Sequence, residues 1–126
     1  MSSESLHEAA ERLTPATRDL HRAIVSLMEE LEAVDWYQQR ADATEDGELR
    51  EILRHNRDEE KEHAAMVLEW IRRHDAGWDR QLRDYLFREG SIVAREGAVE
   101  QGNGDGEKVN GTSSTGASIG SLRARR

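Results

Sequence analysis

No cysteine occurs in the sequence. That excludes disulfides, thiolate metal sites and a cysteine nucleophile, and it favours a cytosolic chain. Proline appears once, and aromatic residues make up 5%. Alternating β-branched runs between turn signals are almost absent, so the predicted fold class is all-α. No stretch approaches the roughly 20 apolar residues of a membrane span. Met1-Ser2-Ser3-Glu4 lacks the apolar core of a signal peptide. A basic excess is missing too. With a net charge of −8 and 35% charged residues over 126 positions, the chain suits cations better than nucleic acid or anionic membrane.

What is present is helical periodicity. Residues 1–12 are polar and read as a flexible N-terminus. Thr14-Pro15 reads as an N-cap followed by proline at the first helical position. From there to about Ala43 nothing breaks a helix of roughly 45 Å. Leu20, Ile24, Leu27, Leu31 and Val34 form its narrow apolar stripe. Thr44-Glu45-Asp46-Gly47 is a tight turn, with Asp46 or Thr44 capping a second helix from about Glu48 to His74. The two helices form an antiparallel hairpin. Asp75-Ala76-Gly77 stops the second helix, and a short third one runs from about Trp78 to Arg95. The helical domain thus covers 13–96. Residues 97–126 turn rich in Gly, Ser, Thr and Asn and read as a flexible linker.

The second helix carries a seam at Leu49, Leu53, Asn56, Glu60, His63, Val67 and Trp70. Such a seam should be apolar throughout, yet its middle is a carboxylate followed three residues later by an imidazole. Glu-x-x-His on one helical face can hold one metal ion. A buried carboxylate without a partner costs several kcal/mol, and a divalent cation is the simplest compensation. On the first helix, Glu30 lies at the edge of the apolar stripe, nearly as far before the turn as Glu60 lies after it. Glu29, Glu32 and Trp36 cluster on another face.

One Glu facing one Glu-x-x-His is half of a di-iron carboxylate site, which needs two of each. The chain has one such motif on a core seam, so a second copy must supply the other half. Two hairpins about a two-fold axis form a four-helix bundle with the metal pair astride the axis. Blander readings are a polar pair in which Glu60 and His63 bond each other or Arg57, and a solvated face for Glu29 and Glu32. His21, His55 and His74 read as surface or rim histidines.

The segments Met28–Tyr37 and His55–Met66, continued by Leu68-Glu69-Trp70 and Tyr85-Leu86-Phe87, resemble the encapsulated ferritins over most of residues 20–90. These ferritin-like proteins are carried inside encapsulin shells. The resemblance implies two-helix protomers that pair to build a ferroxidase centre, with dimers assembling into an annular decamer. It implies that Glu30, Glu60 and His63 are the iron ligands and that Tyr37 lies beside the centre. Glu29, Glu32 and Trp36 match an outer metal-attracting site, open to calcium or another divalent cation. The implied activity is oxidation of Fe(II) by dioxygen, with Fe(III) passed on for mineralisation inside the encapsulin nanocompartment, in the cytoplasm. Ser118, Ile119, Gly120, Ser121, Leu122 and Arg123 are similar to the peptide that docks such cargo on the shell. The upstream Ala117 and the trailing Ala124-Arg125-Arg126 depart from that pattern. Two other readings stay open from the residues: a non-catalytic helical adaptor, and a manganese or zinc protein of the same architecture.

Overall fold

The computed structural model describes residues 5–103, and all regular structure among them is helical. They divide into two compact units, one ending at His74 and one beginning at Asp75. The expected docking peptide 118–123 and most of the expected linker lie outside the described residues.

The first unit is the hairpin. One 3-10 turn, Ala10–Arg12, precedes it. Helix α1 spans Pro15–Ala43 and α2 spans Gly47–His74. Thr14 caps α1, its hydroxyl oxygen accepting from the Thr17 amide at 3.0 Å, with proline next, where no amide is needed. The connection is three residues long and held by side chains. The Asp46 carboxylate accepts from the Leu49 amide at 2.9 Å and caps α2. The Asp46 amide donates to the Thr44 hydroxyl at 3.1 Å. Arg50 reaches back across the turn and donates to the carbonyls of Ala41, at 3.1 Å, and of Thr44. The last carbonyls of α1 lack helical partners, and a residue of the next helix supplies donors for two.

Between the helices, Ala41, Ala64 and Ile71 are the buried apolar residues. Ala64 and Ile71 lie one position beyond the seam residues His63 and Trp70, which border α1 as well: His63 Nδ1 is 3.7 Å from Glu30 Oε1, and Trp70 lines a groove with Ala23 and Ser26. Alanine at 41 and 64 allows the backbones to approach closely. A second apolar line stays uncovered: Ile52 is 52% exposed, Met66 57% and Leu31 of α1 56%.

In the second unit, the expected third helix is two helices. Asp75 has extended backbone, and its carboxylate accepts from the Trp78 amide at 2.9 Å. It therefore starts α3, Ala76–Tyr85, as well as ending α2, and Gly77 lies inside the helix. Phe87 at φ 60° and Gly90 at φ 88° turn the chain out of helix. Ser91 then caps α4, Ile92–Ala98, through the Ala94 amide at 3.1 Å. Arg95 ties α4 to α3 by donating to the Asp84 carbonyl at 2.8 Å. One π-type turn, Val99–Asn103, continues past α4 and is broken at Gly102, whose φ of 79° is not helical, so the helix runs a few residues into the expected linker.

Candidate metal centre

Glu30 stands thirteen residues before the last residue of α1, and Glu60 thirteen after the first of α2. In an antiparallel pair this puts the two carboxylates at one height. His63, nearly one turn beyond Glu60, projects from the same face. One possible ligand atom from each of Glu30, Glu60 and His63 lies within 4.8 Å of the others. This is the one such group of acidic and histidine side chains among the described residues. His63 Nδ1 is 3.3 Å from Glu60 Oε1 and 3.7 Å from Glu30 Oε1. All three side chains are part-buried, which strengthens their mutual field while leaving access from outside.

The electrostatics are those of two acids competing for one proton. The hydrogen bond with Glu60 is the main cause that raises the Glu30 pKa above the ordinary carboxylate value. Burial and the Glu60 charge add to it, and His63 works against it. The same hydrogen bond lowers Glu60, helped by His63 and opposed by burial. Like charges this close cannot both ionise cheaply. A cation between them would remove the conflict, so the donor set fits a divalent metal. Carboxylate oxygens with one imidazole suit iron, manganese or zinc.

Arg57 is no partner of this cluster in the bonds it makes. It donates to Asp58 at 2.9 Å and to Gln38 Oε1 across the hairpin at 2.9 Å. Glu29, Glu32 and Trp36 are exposed along α1, apart from the triad. Tyr37 is half-buried about 10 Å along α1 from Glu30. The Arg40 guanidinium sits 5.5 Å from the Tyr37 ring centroid and 6.0 Å from that of Trp36. Arg40 was not anticipated, although aromatic residues at i−3 and i−4 from an arginine are a readable sign of such stacking. Glu59 stands in the charged run Asp58-Glu59-Glu60-Lys61-Glu62, which by sequence reads as a mostly solvated helix face. Its carboxylate lies between two histidines, 4.0 Å from His63 Nε2 and 3.7 Å from His55 Nε2.

The pattern of the EncFtn-like family matches residues 5–89. An encapsulated ferritin-like protein of Rhodospirillum rubrum is 64% identical over 105 residues, covering 83% of this chain and 75% of its own. A ferritin-like protein of Thermotoga maritima is 50% identical over 109 residues, 86% of this chain and 93% of its own. Among solved structures, a crystal structure of a Nitrosomonas europaea protein superposes with a TM-score of 0.69 at 60% identity. It covers 71% of this chain and 98% of its own. The family match spans both helices of the hairpin and all three residues of the triad, and on that ground the chain belongs to the EncFtn-like family of ferritin-like proteins.

Proposed function

We propose that the protein is a ferroxidase that takes Fe(II) as its substrate and oxidises it with dioxygen at a site shared by two copies of the chain. The observation that carries this reading is the convergence of Glu30, Glu60 and His63 within 4.8 Å. It is supported by membership of a ferritin-like family and by the R. rubrum relative's name. The triad supplies one Glu and one Glu-x-x-His, half of what a paired-iron site needs. The exposed Leu31, Ile52 and Met66 give a second copy an apolar surface to cover. Anionic ligands stabilise Fe(III) over Fe(II) and so lower the cost of giving up an electron. Each of two irons then gives one electron to dioxygen. Exposed Glu29 and Glu32, with Trp36, would gather incoming Fe(II) by their negative potential. Tyr37 stands beside the path along α1.

The product Fe(III) would pass to the interior of an encapsulin shell for storage, the cargo peptide 118–123 holding the protein to the wall. Many peptides per assembly would add avidity to individually weak docking. An annular decamer and a cytoplasmic location follow from the same family reading.

One observation favours a quieter role. His63 and Glu60 are within hydrogen-bonding distance of each other, so the cluster could be a self-satisfied polar core in an adaptor. The same donor set also serves manganese or zinc. Stopped-flow oxidation of Fe(II), with native mass measured with and without iron, separates these readings. Glu60→Ala and His63→Ala are expected to abolish the fast phase. Equal initial rates in the wild type and both variants would exclude the ferroxidase reading.

A further inference from the structure

His63 meets carboxylates at both ring nitrogens. On the Nδ1 side stand Glu60, at 3.3 Å, and Glu30, at 3.7 Å. On the Nε2 side stands Glu59, at 4.0 Å. Glu59 is in turn approached on its other oxygen by His55 Nε2, at 3.7 Å. The order is set by the helix. His55, Glu59 and His63 are spaced by four residues and lie along one face of α2, while Glu60 is turned about 100° from Glu59. The imidazole is thus placed between a group of ligands and a single outer carboxylate.

A ring that gives Nδ1 to a cation must carry its hydrogen at Nε2. That hydrogen then points to the side of Glu59. Histidine ligands to metals usually donate their second N–H to a carboxylate, a carbonyl or water, which fixes the tautomer and orients the ring. We propose that Glu59 is the positioning residue for His63: it accepts the Nε2 hydrogen and so presents a bare Nδ1 toward Glu30 and Glu60. His55 steadies the far oxygen of Glu59. The inference rests on the reading of the triad as a metal site. It assigns Glu59 no direct contact with the metal.

The test uses the full chain and Co(II), added without oxygen. Glu59→Ala is expected to weaken Co(II) binding by about 10- to 100-fold, the usual cost of losing such a partner. Glu59→Gln keeps an accepting oxygen and is expected to recover part of the loss. Glutamine and glutamate have similar helix propensity, and Glu59 is exposed, so this variant keeps α2 intact. Glu51→Gln removes the same charge from an exposed position about two turns away and is expected to leave the affinity unchanged. Nitrogen-15 spectra of the Zn(II)-loaded protein give a readout that a merely structural role would not move. They should place the His63 hydrogen at Nε2 in the wild type, with a shift that Glu59→Ala abolishes. Unchanged Co(II) affinity and an unchanged His63 spectrum in Glu59→Ala would overturn the assignment. If His63→Ala still lost Co(II) in that case, the triad would stand and the role of Glu59 alone would fall. A wild type that bound no Co(II) would overturn the triad reading and this inference together.

Discussion

Glu30 and Glu60 share a hydrogen bond that raises the pKa of the first and lowers that of the second, and a cation between them would relieve the conflict. Glu30→Gln keeps a hydrogen-bond donor toward Glu60 and removes the charge conflict. The variant should not lower the thermal midpoint in chelator. It should lose the rise that metal gives. On the proposed metal reading the wild type should gain about 2.7 kcal/mol at a hundredfold excess over Kd, the linkage expected of any ligand that binds only the folded state. Thermal scans with and without Co(II) check both outcomes. A second acid shows the opposite shift. Arg72 and Arg73 bond Glu69 and hold its pKa at about 2, against an ordinary value of 4.5. A depressed carboxyl adds stability that is present above pH 4.5 and is lost as pH falls toward 2. The side chain is 41% exposed, so screening keeps this contribution below about 1 kcal/mol. Midpoints of the wild type and Glu69→Gln should therefore differ slightly at neutral pH and converge near pH 2. At this scale the triad was legible, because carboxylate and imidazole on an apolar seam contradict the seam. Glu59 was not, because a charged residue between charged neighbours looks solvated until the ring beside it is placed.

Within the elements, the caps of the hairpin were the most readable feature. Thr14 and Asp46 use side-chain oxygens to satisfy amides that have no helical partner, and Ser91, which periodicity did not single out, does the same for α4. Asp46→Ala should cost about 1 kcal/mol, measured by denaturant unfolding, because it frees the start of α2 beside the Arg50 clamp. Two features resisted reading. The buried apolar residues of α2 are Ala64 and Ile71, one position beyond the seam residues His63 and Trp70 that also border α1. The apolar surface of α2 is broad enough for two lines, and spacing alone cannot say which meets its own hairpin and which is left for another chain. The break between α3 and α4 was missed because its pivot is a phenylalanine in the left-handed region, where glycine is the usual sign. Gly90 followed by Ser91 was the available signal: a glycine stop and then a serine cap.

At the level of the whole molecule, the hairpin buries little apolar surface for its length and leaves Leu31, Ile52 and Met66 uncovered. Helices that hide so little against each other gain stability by hiding the rest against a partner. Under the proposed pairing, Met66→Glu places a charge in that contact. It should lower the native mass of the assembly and slow Fe(II) oxidation, although the triad itself is untouched. Native mass spectrometry beside stopped-flow rates checks both effects. Removing residues 118–126 should have the reverse signature: full oxidation rate, and loss of co-purification with an encapsulin shell protein.

The uncovered apolar line has a further consequence for the newly made chain. Under the proposed pairing, the chain shows water, until it meets a second copy, the same side chains that a chaperone or an aggregate would seize. The time spent in that condition shortens as chains become more concentrated. If the proposed site is shared by two chains, dilution should therefore slow iron turnover more steeply than in proportion, because halving the number of chains would more than halve the number of completed sites.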